Sequence, residues 1–440
     1  MQGERKTLTQ LSVPICLETL FYMLSGMVDT LMLSSVSDQA VGAVGTANTY
    51  IGVFIIMFGV ISSGMVAVMS QNIGAGRPGI AYQARQLGLV FNALTGILIS
   101  VVLAVFSGGI LRAVSIAPAL LESAETYLKI VGGASFLNAL IPIFSSYLRV
   151  FGYTKHSLIG TVVGNVINII LNSVFLFVFH WGVMGVATAT VISKAVNLII
   201  VAAMGAVLIK AKQSPERAQP RRILAQIVKI GFPSVFETAL YNVAMTFIVC
   251  FMNHMDTDGM NVTARSYAMQ IANFSYCVGA ALAQANAIMT GWRIGAKKYE
   301  ECDRGTRKAV IYGLVTATCF SVTFAITGRF IVHIFTDDTQ MIELVVKLLI
   351  VDIFLEFGRV TNLVYGQALK TSGDAIFPVI MGAIFMYLFA VGGTYFLGIH
   401  MGLQAVGAYI AMAGDECARA VGMVLRWKSG KWKSKSLIEL

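Results

Sequence analysis

Long apolar runs cut by short polar connections pattern the whole chain. Runs of roughly 20 or more apolar residues, each enough to cross about 30 Å of hydrocarbon, fall at 12–34, 41–70, 88–111, 123–147, 158–179 and 184–209. A second set falls at 230–253, 261–291, 309–334, 341–368, 375–397 and 402–425. The runs are continuous rather than alternating, which predicts helices and disfavours a membrane barrel. The expected fold is an all-α polytopic membrane protein of about twelve transmembrane helices. The second and eighth runs are overlong, so tilt or extension beyond the bilayer is expected there.

The pattern repeats once. Pro14-Ile-Cys-Leu-Glu18 answers Pro233-Ser-Val-Phe-Glu237, Ile73-Gly-Ala-Gly-Arg77 answers Ile294-Gly-Ala-Lys-Lys298, Leu148-Arg-Val-Phe-Gly152 answers Leu369-Lys-Thr-Ser-Gly373, and Gly185 answers Gly407. All are offset by about 220 residues. This predicts two pseudo-symmetric six-helix bundles, at 1–209 and 225–440, joined by a polar linker at 210–224 that carries Pro215 and Pro220. An even number of spans per half makes the repeats parallel, related by an axis along the membrane normal. Two similar halves that rock about a shared cavity are the architecture of a secondary transporter.

Composition agrees with a lipid environment. The chain is 57% hydrophobic and only 12% charged, with a mean hydropathy of +0.76, which leaves too little polar surface to coat a soluble globule. The basic residues fall in alternate connections: Arg5 and Lys6, Arg77 and Arg85, Arg149 and Lys155, a central group from Lys210 through Lys212 to Lys229, then Arg293 to Lys308, and the tail from Arg426 to Lys435. The connections at 34–39, 180–182, 254–260 and 398–400 hold no Lys or Arg. The positive-inside rule then places both termini and the central loop in the cytoplasm. The net charge of +10 is explained by these loops, and nucleic-acid binding is excluded because none of them builds a basic face on a folded domain. No cleavable signal peptide is expected, because the first apolar run is long and continues into a multi-span chain. Scattered cysteines and histidines near span ends indicate no disulfide frame, no metal cluster and no catalytic centre.

Polar residues inside the apolar runs carry the chemistry, because a charge at a helix centre costs about 2.5 to 3.5 kcal/mol and so faces a cavity or a partner. Glu18 and Asp29 share the first run, about three turns apart and on one face. The fifth run carries Asn165, Asn168 and Asn172, the last two one turn apart, and Thr190 lies in the sixth. Oxygen ligands of this kind suit a sodium ion, and a carboxylate in a dry pocket equally suits a proton carrier. Asp29 serves either ion, whereas Asn165 reads as a bridge between helices. In the second half, Glu356 with Arg359 and Asp415 with Arg419 stand one turn apart, the spacing of desolvated ion pairs. Glu237 has no local partner, which makes it, with Glu18 and Glu356, a candidate for a cationic substrate or a second ion. Lys194 is placed to neutralise a carboxylate of the first half. The chain's 21 Met and 26 Phe suit loose binding of varied apolar shapes.

The opening from Pro14 to Asp29, Ser70-Gln-Asn-Ile-Gly-Ala-Gly-Arg77, Asn168-Ile-Ile-Leu-Asn172 and Gly182-Val-Met-Gly-Val-Ala-Thr-Ala-Thr-Val-Ile-Ser193 resemble the multidrug and toxic compound extrusion (MATE) family. In the second half Leu355-Glu-Phe-Gly-Arg-Val-Thr-Asn362, Gly373-Asp374, Asp415-Glu-Cys-Ala-Arg419 and Arg426-Trp-Lys-Ser-Gly-Lys-Trp432 are similar to a bacterial branch of it. The resemblance implies a protein of the bacterial inner membrane that exports small amphipathic, often cationic, drugs in exchange for protons or sodium. It implies no enzymatic activity and no cofactor beyond the coupling ion, with any sodium at Asp29. It also implies a coupling site made of Asp29, Asn168, Asn172 and Thr190. The family commonly has Asp where Asn172 stands, so weaker ion affinity or an altered choice of ion is expected. A monomer surrounded by membrane lipid is expected. The rival reading is a flippase for lipid or lipid-linked cargo, which favours a basic cavity; the deep basic residues are chiefly Lys194, Arg265, Arg359 and Arg419.

Overall fold

A computed structural model describes residues 6–113, 117–210, 214–256 and 258–438. Arg5 and Lys212 of the basic pattern, and part of the 210–224 segment, lie outside them. The helices are α1 (Leu8–Ser34), α2 (Asp38–Gly74), α3 (Pro78–Ala113), α4 (Pro118–Tyr127), α5 (Ser135–Val150), α6 (Thr154–Ser173) and α7 (Gly182–Leu208). They continue as α8 (Pro220–Asn253), α9 (Met260–Gly295), α10 (Tyr299–Val332), α11 (Thr339–Ser372), α12 (Ile376–Phe385) and α13 (Gln404–Lys428). No strand occurs among the described residues.

Each apolar run is helical, with departures that have local causes. The run at 123–147 is two helices: α4 passes through a π-helical turn, Leu128–Gly132, and the chain bends by 41° before α5. The π turn and the adjacent Gly132-Gly133 loosen the backbone at that point. The overlong runs are single helices of 37 residues in α2 and 36 in α9. Among the described residues eight helices are long and apolar enough to cross a membrane, and the bent pair makes a ninth. The exceptions α9, α11 and α13 carry Arg265, Asp352, Glu356, Arg359, Asp415, Glu416 and Arg419, and these three helices wall a charged cavity.

The duplication extends to backbone conformation. Left-handed residues pair across the halves as Gly76 with Lys297, Gly152 with Gly373, His180 with Gly402, and Gly182 with Gln404. They sit where a helix ends or the next begins, so that both halves turn the chain with the same local geometry. π-helical turns likewise recur at Val174–Val178 after α6 and Thr394–His400 after α12.

Two compact units result, one of 17–231 with 1–6, the other of 232–440 with 7–16. The start of α8 counts with the first unit because Ile223, Ile227 and Ile230 recur at helical spacing and are buried. A Cβ on Gly64 would meet the Ile227 carbonyl oxygen at 2.0 Å, and one on Gly231 would meet that of Val60 at 1.7 Å. Small residues at these two places let the backbones of α2 and α8 touch.

In the first unit, Leu33, Ile51, Phe58, Leu103 and Tyr127 belong to one buried core. In the second, Leu348, Leu355 and Met412 anchor one core, and Ile294, Trp427 and Trp432 another. The outward faces remain apolar: Val105 is 66% exposed and Phe330 79%. Long helices with such faces are stable against lipid tails, not water.

Candidate functional site

The first unit gathers its polar groups between α1 and α6. Glu18 and Asp29 both face α6, as three turns of spacing require. At one level the Asn172 amide donates to Asp29 Oδ1 at 2.6 Å and contacts Asn168 Oδ1 at 3.3 Å. Asn168 and Asn172 are buried, one above the other on the inner stripe of α6, and Asp29 is half-buried. Lys194 of α7 is within electrostatic reach of Asp29. Thr190 donates to the Val186 carbonyl at 2.8 Å, and the Tyr127 hydroxyl interacts with it and with Asn48 while feeling the Asp29 charge. Asn172 therefore links Asp29 to Asn168, while Thr190 stays outside that set and meets Tyr127, which senses the Asp29 charge. Asn165 bridges helices, donating to the Phe21 carbonyl at 2.7 Å.

Glu18 has a different environment. Arg149 Nη2 lies 2.7 Å from Glu18 Oε1; the Ser157 hydroxyl donates to both carboxylate oxygens at 3.1 and 3.0 Å, and Thr161 reaches it at 3.4 Å. The second unit repeats the pair: Lys370 Nζ lies 2.5 Å from Glu237 Oε2. The duplicated Glu motif thus finds its partner in the duplicated basic motif, Glu18 with Arg149 and Glu237 with Lys370. Glu237 has no partner nearby in sequence, as expected, but finds one on a helix distant in sequence. These pairings remove the reason for treating Glu18 and Glu237 as open carboxylates.

The second unit encloses a cavity of about 480 Å³ lined by α8, α9, α11, α12 and α13, within the size range of small-molecule sites. Glu356 forms a short ion pair with Arg359. Arg419 grips Asp415 through two bonds of 3.0 and 2.6 Å and reaches Glu416 at 2.9 Å. Glu416 also accepts from the Asn362 amide at 3.0 Å and lies 3.9 Å from Arg359. The two pairs expected one turn apart are present and join through Glu416 into one network. Glu356 is consequently engaged by Arg359 and is not a free substrate carboxylate. Removing one member of such a buried pair costs about 3–5 kcal/mol, so the network fixes the cavity wall. Sequence reasoning passed over Asp352 and Glu416, although 352, 356 and 359 lie on one helical stripe and Glu416 stands three residues before Arg419.

The fold and these charged interiors define a duplicated, polytopic membrane transporter. The fold is similar to that of a solved multidrug resistance transporter of the MATE family in an outward-facing conformation, with a TM-score of 0.87 at 18% identity, covering 98% of this chain and 96% of that one. It is equally similar to a transporter of the MOP superfamily from Pyrococcus furiosus, with a TM-score of 0.86 at 19% identity, covering 97% and 96%. The MatE family model matches residues 14–174 and 233–396. An uncharacterized transporter of Bacillus subtilis (strain 168), YisQ, is 32% identical over 437 residues, covering 98% of this chain and 96% of that protein. A probable multidrug resistance protein of Thermotoga maritima, NorM, is 26% identical over 456 residues, covering 99% and 94%. The chain belongs to the MATE family, whose members are integral membrane transporters rather than enzymes.

Proposed function

We propose that this protein is a secondary antiporter of the bacterial inner membrane, exporting small amphipathic, often cationic, compounds by alternating access in exchange for protons or sodium. The observation that carries the reading is Asp29, a half-buried carboxylate on a membrane helix, held at 2.6 Å by Asn172, whose amide also reaches Asn168. A carboxylate in this setting changes charge when a proton or sodium ion arrives, and its hydrogen bond to Asn172 of α6 gives α1 two states to choose between. The multidrug resistance names of relatives such as NorM support export as its direction. No cofactor beyond the ion is required, and a monomer in lipid suffices. The basic loops support an orientation with both termini in the cytoplasm.

The flippase reading draws on Arg265, Arg359 and Arg419, which all line the cavity of the second unit. Arg359 and Arg419 are neutralised there by Glu356, Asp415 and Glu416, so the cavity is not the basic basin that a phosphate-rich cargo needs. Efflux from proteoliposomes under separately imposed proton and sodium gradients tests the proposal. Asp29→Asn should abolish gradient-driven efflux while substrate still binds, and retained coupling in that variant would remove Asp29 from the role.

A further inference from the structure

Two opposite charges in the cavity of the second unit form no ion pair among the described residues, although Asp352 senses the Arg359 charge from a distance. Arg265 of α9 is 8% exposed and lines the cavity. Its one polar contact is a long one to the Met245 sulfur at 3.6 Å, and its Nε has no hydrogen-bond partner. Asp352 of α11 is 3% exposed and lines the same cavity. Every other charged group on the wall is engaged: Lys370 by Glu237, Arg359 by Glu356 and Glu416, Arg419 by Asp415 and Glu416. Among the described residues neither Arg265 nor Asp352 forms an ion pair with these groups or with the other. Tyr409, itself buried, feels the charges of both and stands in their neighbourhood.

We infer that Arg265 and Asp352 are the two poles of a binding site for a zwitterionic amphiphile, a molecule carrying one oxyanion and one cationic amine. The guanidinium fork suits an oxyanion, which it holds through two parallel bonds. The Asp352 carboxylate suits the amine. Leu355, Met269, Met412 and Tyr276 line the remaining wall and offer an adaptable apolar surface to the rest of the molecule. A purely cationic ligand would leave Arg265 uncompensated, and a purely anionic one would leave Asp352 so; a ligand bearing both charges satisfies the site at once. The inference deepens the exporter reading by naming a substrate class. Its test is equilibrium binding, so failure here leaves coupling through Asp29 untouched, and loss of coupled efflux leaves this site untouched.

The test uses purified full-length protein and three fluorescent probes: Nε-dansyl-lysine, which has both charges, its methyl ester, which keeps only the amine, and its Nα-acetyl derivative, which keeps only the carboxylate. The wild type should bind the first roughly tenfold or more tighter than either of the others, the difference made by one charge-assisted contact. Arg265→Gln should lower affinity for the zwitterion to that of the ester and leave the ester unchanged. Asp352→Asn should lower it to that of the acetyl derivative, and Arg265→Lys should recover part of the loss. Because the guanidinium has no protein partner, Arg265→Gln should unfold at no lower temperature than the wild type. Equal affinities for the three probes, an equal loss for all three in either variant, or a large drop in the stability of Arg265→Gln would overturn the inference. Bilayer discs containing phosphatidylethanolamine distinguish the source of the ligand. Displacement of the probe by these discs and not by phosphatidylglycerol discs assigns the site to a lipid headgroup, and no displacement by either assigns it to a free amphiphile.

Discussion

Replacing Arg149 with methionine keeps most of the side-chain length and removes the charge that holds Glu18. The Glu18 carboxylate is 10% exposed and the Arg149 side chain 19%, so the variant leaves an acid in a nearly dry pocket. Breaking a fully buried pair costs about 3–5 kcal/mol. Here Ser157 still donates to both oxygens and Thr161 to one, so the expected loss is about 2–3 kcal/mol, near that of one charge-assisted hydrogen bond. For a unit of this size that is roughly 4–12 °C in unfolding temperature. Glu18→Gln alone should cost less, because the amide keeps hydroxyl partners while the guanidinium can reach water. The double variant should be less destabilised than the sum of the single ones by about 1–2 kcal/mol. The assay is thermal unfolding in a fixed detergent, with cation-coupled efflux measured in parallel. If Arg149→Met is neutral while Glu18→Gln is strongly destabilising, Arg149 does not hold Glu18 and the pair is not structural. If Glu18→Gln instead abolishes substrate binding in a stable protein, Glu18 belongs to the transport site after all.

Other consequences are as direct. Asn172→Asp should tighten cation binding, because it replaces a donor 2.6 Å from Asp29 with a second carboxylate that must share a proton or a sodium ion with it; unchanged sodium affinity and an unchanged pH profile of transport would exclude Asn172 from the ion site. Single cysteines at Ser214 and Ser434 should be labelled only from the cytoplasmic side and one at Asp258, in the connection without Lys or Arg, only from outside; external labelling at Ser214 would reverse the orientation. Asp374 joins Arg426 at 2.7 Å to Lys435 at 2.6 Å, and against the upward pull of burial these bonds hold its carboxyl below the usual range. The stability from this clamp is therefore present at neutral pH and lost as pH falls below the ordinary carboxylate range; Asp374→Asn should release the Lys431–Lys435 segment at neutral pH, read as faster tryptic cleavage there, and unchanged cleavage would show that the clamp holds nothing. Gly373→Ala should do the same, since Gly373 has a φ of +102° and a Cβ there would meet the Lys435 carbonyl oxygen at 2.1 Å.

The one-dimensional pattern determined what depends only on short-range chemistry. Continuous apolar runs must become helices in lipid, since no other open structure satisfies the backbone there. The duplication was equally visible, down to Gly152 and Gly373, where both halves place glycine in a left-handed turn. The ion pairs Glu356 with Arg359 and Asp415 with Arg419 were legible because one helical turn brings i and i+3 or i+4 together whatever surrounds them. Tertiary structure decided everything that joins different helices. Glu237 finds Lys370, Glu18 finds Arg149, Asp29 finds Asn172, and Glu416 ties two local pairs into one network, since α1 meets α6 and α11 meets α13 only after the chain has packed. The same holds for the absence of an ion pair: Arg265 and Asp352 look like any charges on membrane helices until the neighbouring charges are seen to be paired with other groups. A charge in lipid must find a partner, a cavity or a ligand, and which of these it finds is settled by distances that sequence spacing encodes only within a single helix.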